Sequence, residues 1–255
     1  MPHALCYEEV TFAYGSDTVL AGLDLDLAAG DRLLLVSLSG GGKTTILRLA
    51  LGLRQPQSGH VRIDGRSLAE MDYDELQAFR RGTGYLLESH ALMVNQRIFD
   101  NLALPLRYHH ALGEDEIRRR VMGILEALDL ASHAQEFPAT LSMAELRQAA
   151  FARALVVEPG LLVMDDPFLG ISPQALRRMQ TLLSELRERR PCTLLWASQT
   201  VAHTTGLVDR IAVLKDGKIV KDAKVEEFTK TAIHRLSNTD SAMSQNVSVP
   251  PEAYP

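Results

Sequence analysis

The feature that most constrains the fold is a glycine-rich loop between an apolar segment and a helix-like segment. The loop reads Ser-Leu-Ser-Gly-Gly-Gly-Lys-Thr over residues 37–44, after the apolar run 33–36 and before the periodic stretch 45–51. Consecutive glycines let backbone N–H groups fold around an anion, and the N-terminus of the following helix adds positive potential. We therefore expect a strand, an anion-binding loop and a helix, in this order.

The loop fits the phosphate-binding pattern G-x-x-x-x-G-K-[ST] except at its first position, where Ser37 replaces glycine. A serine there would cost about 1–2 kcal/mol if the position required a left-handed backbone. Lys43 is expected to reach the β- and γ-phosphates of a nucleotide, and the Thr44 hydroxyl to bind Mg²⁺. The other candidate nucleotide-binding residues of this segment are Ser39, Gly40, Gly41, Gly42 and Thr45.

Composition and charge narrow the class of protein. The chain has 255 residues with 46% hydrophobic and 23% charged residues, which is typical of a globular protein with one substantial core. Its net charge of -5 argues against nucleic acid as the main ligand, because nucleic-acid binding depends on clustered cations. No apolar run approaches the ~20 residues of a membrane-spanning helix, and the first residues do not resemble a signal peptide. These features predict a soluble, cytoplasmic protein.

The order of apolar segments indicates an α/β fold with a mixed sheet. Early strands are expected near 5–12, 23–27 and 32–36, in an antiparallel arrangement. Later strands at 161–165 and 193–197 alternate with helical segments, which favours parallel βαβ units. The remaining expected elements are a strand at 83–87, helices at 98–106 and 115–128, a helix opened by Ser172-Pro173, and a hairpin at 209–220 with an Asp-Gly turn.

A second motif is an apolar strand that ends in two acids. Residues 161–167 read Leu-Leu-Val-Met-Asp-Asp-Pro. Ligands bind at the carboxyl edge of parallel strands, so the acids are expected beside the loop. Asp165 would hold Mg²⁺, the Walker B role in P-loop enzymes.

The order and spacing of these motifs resemble the ATP-binding cassette (ABC) family over residues 7–225. Tyr14 matches the aromatic residue that stacks on adenine in that family, and Ser142 lies in the segment Leu-Ser-Met-Ala-Glu that matches its signature motif. Glu88 falls on the Q-loop glutamine, and Gln199 falls on the switch histidine. The resemblance implies ATP and Mg²⁺ as cofactors.

The same resemblance implies a P-loop NTPase (RecA-like) fold with an antiparallel β subdomain. A nucleotide-binding domain would cover residues 1–230, with a helical subdomain inserted at about 88–150. The polar stretch 231–255 would form a C-terminal extension.

The three candidate catalytic residues depart from the family pattern. Asp166 replaces a glutamate and is one methylene shorter, and a displacement near 1 Å can cost about 100-fold in rate. Gln199 lacks the charge of a histidine, and charge-assisted hydrogen bonds are about twice as strong as neutral ones. Glu88 adds negative charge beside the phosphates. We therefore expect slow or lost hydrolysis.

The signature segment and the start of a later helix also differ. Met143 and Ala144 replace glycines, so their side chains would occupy the gap in which a helix N-terminus approaches the γ-phosphate. Ser142 and Glu145 form a capping-box pattern, so an ordinary capped helix explains this segment equally well. Ser172 replaces the D-loop aspartate, and a helix N-cap accounts for it.

Within the ABC family, residues 91–107 and 166–170 are most similar to ATPases of the Mla type, which move phospholipids between bacterial membranes. That likeness implies a second ABC ATPase subunit, as homodimer or heterodimer, an integral-membrane permease docked near Glu88, and an Mce-type lipid-binding protein. The chain would be cytoplasmic and peripheral at the inner membrane. Two alternatives stay open: a non-catalytic nucleotide-binding subunit, and a scaffold protein of the cell-division type.

Overall fold

The structure, a computed structural model, describes residues 1–37, 41–87, 91–109 and 112–228. Three of the sequence-predicted site residues, Ser39, Gly40 and Glu88, lie outside these ranges, as does the C-terminal stretch 231–255. The described residues form two β-sheets and six α-helices. These elements form a mixed α/β architecture, as the sequence predicted.

The larger sheet positions the glycine-rich loop. Its strand order is β10-β9-β3-β8-β7-β6, with parallel pairing throughout except between β9 and β10. The strands are β3 (Arg32–Val36), β6 (Thr83–Leu86), β7 (Leu161–Asp165), β8 (Thr193–Ser198), β9 (Arg210–Lys215) and β10 (Lys218–Lys224). Val36 pairs with Ser198, and Asp165 pairs with Ala197. The carboxyl ends of β3, β7 and β8 therefore meet at one edge.

The smaller sheet is antiparallel, with the order β2-β1-β4-β5. Its strands are β1 (Leu5–Tyr14), β2 (Asp17–Leu27), β4 (Ser58–Ile63) and β5 (Arg66–Ser67). The hairpin β9–β10 touches this sheet, because Ala21 N donates to Gly217 O at 3.2 Å. The two sheets are thus joined near the middle of β2.

Three of the six helices in the described ranges begin at a residue whose side chain caps the helix. The six helices are α1 (Lys43–Ala50), α2 (Tyr73–Arg81), α3 (Ile98–His109), α4 (Glu114–Ala127), α5 (Met143–Leu155) and α6 (Pro173–Arg189). Asp72 caps α2 in a capping box with Glu75, and Ser142 caps α5 in the same way with Glu145. Ser172 caps α6, with proline at its first position.

The larger sheet is buried on both faces. Alternate residues of its central strands enter two different hydrophobic clusters. Leu34 and Trp196 face the cluster formed with α3 to α6, whereas Leu35 and Leu195 face the cluster formed with α1 and the antiparallel sheet. Such two-sided burial explains why these strands read as continuous apolar runs.

The sequence-predicted elements differ from the structure mainly by omission. Strand β4 and helix α2 were not anticipated, although the Asp72–Glu75 spacing is a capping-box signal. Helices α3 and α4 lie between β6 and β7 in the chain, where the helical insertion was expected. The subdomain boundaries at 88 and 150 stay a prediction.

Candidate nucleotide-binding site

The described end of the glycine-rich loop has a backbone that glycine favours. Gly42 precedes α1 with φ +93°, and a Cβ there would lie 3.0 Å from Val19 Cγ1 and 3.1 Å from Leu20 Cδ2. Any larger residue would therefore be strained and crowded. Lys43 is the first residue of α1, is 7% exposed, and donates from Nζ to Ser37 O at 2.7 Å.

Ser37 does not carry the strain that the sequence allowed for. It is 5% exposed and its backbone φ is not positive. Its N–H donates to Ser198 O at 3.4 Å, so it continues the contact between β3 and β8. The left-handed backbone that would penalise serine is absent at this position.

Thr44 and Asp165 form the pair predicted to hold Mg²⁺. The Thr44 hydroxyl donates to Asp165 Oδ2 at 2.7 Å, and Asp165 ends β7 with 7% exposure. Hydroxyl and carboxylate oxygens are the hard ligands that Mg²⁺ prefers, and this ion usually takes only one or two from protein. Within the described ranges no group of three or more His, Cys, Asp or Glu side chains could hold a metal alone. The pair fits a magnesium ion shared with phosphates.

Asp166 is held by donors from the end of β8. Its φ is +40°, and its N–H donates to Ala197 O at 2.9 Å. Its Oδ1 accepts from Ser198 Oγ at 2.7 Å and from Gln199 N at 3.2 Å. The carboxylate of this short residue is thus drawn toward the neighbouring strand.

Tyr14 stands at the opposite end of the site, at the end of β1. It is 40% exposed, and its ring packs edge-on against Phe12 with centroids 4.9 Å apart. A hydrogen bond with Thr45 lowers the pKa of Tyr14, and Arg48 lowers it further. Arg48 Nη1 lies 3.4 Å from the hydroxyl oxygen of Tyr14. The hydroxyl end of this exposed ring is therefore held by Thr45 and Arg48.

One open cavity of about 490 Å³ gathers these groups. Its lining includes the sequence-predicted residues Tyr14, Gly41, Gly42, Lys43, Thr44, Thr45, Asp165, Asp166 and Gln199. Four further residues line it that no sequence motif pointed to, namely Val19, Arg48, Arg147 and Leu169. Arg48 lies four residues after Thr44 on α1, and that helical spacing is the signal that would have found it.

Ser142 is not part of this cavity. Its N–H and hydroxyl both donate to Glu145 Oε2 at 2.7 Å, and Glu145 N donates to Ser142 Oγ at 3.3 Å. The hydrogen bond from Ser142 lowers the pKa of Glu145. Met143, the next residue, is 68% exposed. Within one chain, Ser142 therefore acts as a helix cap.

A strand, a glycine-rich loop, a buried lysine and a Thr–Asp pair at the carboxyl edge of a parallel sheet define a P-loop nucleotide-binding protein. The family described as ABC transporter matches residues 20–169. The chain belongs to the ABC transporter family.

Several relatives show the breadth of this family. The intermembrane phospholipid transport system ATP-binding protein MlaF of Haemophilus influenzae is 31% identical over 88% of this chain and 85% of its own. MlaF of Escherichia coli is 34% identical over 83% and 79%, respectively. The methionine import ATP-binding protein MetN of Rhizobium etli is 31% identical over 85% of this chain. The chain spans 60% of the length of that MetN relative.

Solved structures agree with the fold. The dimeric ATP-binding cassette MJ0796, in a post-hydrolysis state with ADP and Pi bound, superposes with a TM-score of 0.80 at 26% identity. The match covers 87% of this chain and 98% of the other. None of the helices in the described ranges is long and apolar enough to cross a membrane.

Proposed function

We propose that this subunit binds Mg²⁺-ATP in the 490 Å³ cavity and hydrolyses it slowly or not at all. Tyr14 stacks on the base, and the loop 39–45 surrounds the phosphates. Lys43 leaves Ser37 O for the β- and γ-phosphates, because a charged acceptor makes a stronger hydrogen bond than a carbonyl. Thr44 and Asp165 hold Mg²⁺, which neutralises phosphate charge. The nucleotide-binding domain covers residues 1–230.

The proposal of slow hydrolysis rests on the hydrogen bonds that the Asp166 carboxylate already accepts. A general base must accept a proton from the attacking water, and it must be within hydrogen-bond reach of that water. Asp166 Oδ1 instead accepts from Ser198 Oγ and Gln199 N. Its side chain is also one methylene short for this position, and the two bonds hold the carboxylate at the end of β8. Gln199 then offers a neutral hydrogen bond to the γ-phosphate.

Binding and turnover should therefore be measured separately on the full chain. We expect calorimetric binding of Mg²⁺-ATP by the wild-type chain, loss of binding in Lys43→Ala, and turnover far below one per second. The double variant Asp166→Glu, Gln199→His is expected to gain turnover with little change in affinity. Fast turnover by the wild-type chain would contradict slow hydrolysis, and absent binding would contradict the nucleotide site.

For cargo, we propose phospholipid movement between membranes. The support is the pair of MlaF relatives, of whose length this chain spans 79–85%. The subunit pairs with a second ABC ATPase subunit, in which Ser142 of one copy approaches the nucleotide of the other. An integral-membrane permease and an Mce-type lipid-binding protein complete the complex. The subunit is then cytoplasmic and peripheral at the inner membrane.

A groove of about 330 Å³ supports the permease contact. It lies between β6, α2, α3 and α5, and its lining includes Tyr85, Leu104 and Tyr108. Tyr85 is 41% exposed and Tyr108 is 77% exposed, as expected of aromatic residues at a protein interface. Residue 88, where the family resemblance puts permease docking, is two positions after the end of β6 in the sequence.

The cargo proposal is tested by isolating the chain with its membrane complex. ATP-dependent transfer of a fluorescent phospholipid between vesicles should occur with the complex and fail with a Lys43→Ala subunit. Tyr108→Ala should weaken recovery of the permease, whereas Tyr73→Ala, an equally exposed tyrosine of α2 outside the groove, should not. Methionine uptake without lipid transfer would overturn the proposal.

The two hydrogen bonds that Asp166 accepts also favour a second candidate function, that of a non-catalytic nucleotide-binding subunit. In that role ATP is a structural or regulatory ligand beside a competent partner subunit. Zero turnover by the isolated chain, with full activity in the complex, would distinguish this role from that of a slow ATPase.

A further inference from the structure

We propose that Arg147 binds the terminal phosphate of the nucleotide within the same chain. This inference rests on the proposed nucleotide site. Arg147 lies on α5, one turn after the capping residues, and it lines the 490 Å³ cavity together with Lys43, Thr44 and Asp166. Its Nη1 donates to Asp166 O at 2.8 Å.

The position of Arg147 along the cavity points to the last phosphate. The Tyr14 end is marked by Thr45 and Arg48, which interact with the tyrosine hydroxyl. Arg147 instead contacts Asp166, whose carboxylate is bonded to the backbone of Gln199. With the base at Tyr14 and Mg²⁺ at Thr44 and Asp165, the phosphate farthest from the base comes nearest to Arg147, which contacts the next residue, Asp166.

Charge gives this residue a clear role. The cations that line the cavity in the described part of the chain are Lys43, Arg48 and Arg147. Of these cations, Arg147 lies beside Asp166 and Gln199. Without Arg147, two carboxylates and a neutral amide would face a phosphate at this end of the cavity. In the described part of the chain, the guanidinium of Arg147 donates to a neutral carbonyl, Asp166 O, rather than to a carboxylate.

Guanidinium chemistry fits the proposed contact. The group has five N–H donors in a planar fork that matches two phosphate oxygens. One edge can keep the bond to Asp166 O while the other reaches a phosphate. A bound triphosphate therefore strengthens the contact between α5 and the loop after β7. A diphosphate lacks the phosphate that makes this contact.

The test compares nucleotides that differ in the terminal phosphate. Binding of Mg²⁺-ADP and of a non-hydrolysable triphosphate analogue is measured by calorimetry for the wild-type chain and for Arg147→Gln. Loss of one charge-assisted contact should raise Kd for the triphosphate about tenfold and leave that for ADP within about twofold. Arg147→Lys should recover part of the loss. Arg177→Gln, at an exposed arginine of α6, removes the same charge elsewhere and should change neither value.

A purely structural role of Arg147 gives a different result. Both nucleotides would then lose affinity by the same factor, or neither would, and either result overturns the proposal. Thermal melting of each variant shows whether the fold is retained, and the Lys variant supplies the comparison if the Gln variant unfolds. Failure of the wild-type chain to bind either nucleotide would overturn the nucleotide site itself.

Discussion

Ser198 Oγ donates a hydrogen bond of 2.7 Å to Asp166 Oδ1, and this bond joins the ends of two neighbouring parallel strands. Ser198 ends β8 and is 5% exposed, whereas Asp166 follows β7 with a left-handed backbone. The bond therefore connects the acid that follows the Mg²⁺ ligand to the segment that carries Gln199.

Replacing Ser198 with alanine should destabilise the protein. The change removes one of the hydrogen bonds that Asp166 accepts in a partly buried site. We therefore expect the free energy of unfolding to fall by about 1 kcal/mol. Urea denaturation followed by circular dichroism measures it. Ser198→Thr keeps the hydroxyl and should lose less. Equal stability of Ser198→Ala and wild type would show that the bond contributes nothing in solution.

Thr44→Val should remove the magnesium dependence of nucleotide affinity. The substitution keeps the shape of the side chain but deletes the oxygen that contacts Asp165. We expect ATP affinity in excess Mg²⁺ to fall about tenfold, and to be nearly the same after addition of EDTA. Thr44→Ser is the matched control, because it retains the hydroxyl and should retain the dependence. A valine variant whose affinity still responds to Mg²⁺ would contradict the assigned ligand.

Gly42→Ala should impair both folding and nucleotide binding. The new Cβ would meet Val19 and Leu20 at 3.0–3.1 Å in addition to the strain of a positive φ. Gly30→Ala is a matched control, since Gly30 has φ +94° and open space around it. We expect Gly30→Ala to cost about 1 kcal/mol and Gly42→Ala at least twice that. The difference, measured by urea denaturation, reports the contact with β2.

The control also separates stability from function. Gly30→Ala should bind ATP like the wild-type chain, whereas Gly42→Ala should bind it weakly. If the two variants lose the same free energy of unfolding, β2 must shift easily to accommodate the added methyl group.

Glu145 should give part of the stability a defined pH dependence. Hydrogen bonds from Ser142 hold the pKa of Glu145 below its ordinary value of 4.5. A lowered folded pKa contributes stability above the unfolded value, and this contribution is lost as pH falls through the folded value. Glu145→Gln should therefore be less stable than wild type at pH 7, with the difference shrinking below pH 4.5. Urea denaturation at several pH values measures it.

Glu126→Gln, at an exposed position of α4, controls for the loss of one negative charge. In this variant the free energy of unfolding should fall at low pH by the same amount as in the wild-type protein. A constant difference between Glu145→Gln and wild type from pH 7 to pH 3 would contradict the role of the carboxylate in capping.

Local patterns predicted the parts of this protein that depend on neighbouring residues. The strand before the loop, the order Gly42-Lys43-Thr44 and the caps Ser142 and Ser172 are all readable within a few positions. The structure confirms the strand and both caps. The pairing of Thr44 with Asp165 followed from the rule that parallel strands end at one edge.

Long-range register explains what the sequence did not reveal. The partners of Asp166 depend on the alignment of β7 with β8, and no short pattern encodes that alignment. Arg147 comes near Asp166 because α5 packs beside β6, which pairs with β7 and lies far from α5 in the sequence. The family resemblance drew attention to the lost glycines beside it rather than to this arginine.

The position of β3 between β8 and β9 determines when the nucleotide site can form during synthesis. Val36 pairs with Ser198 and with Val213, which leave the ribosome long after the loop that follows β3. Contacts between distant parts of a chain form late because closing a long loop costs entropy. A nascent chain halted after α5 therefore carries the complete lysine-containing loop without the strands that hold it, and it has no ATP-dependent protection against proteolysis.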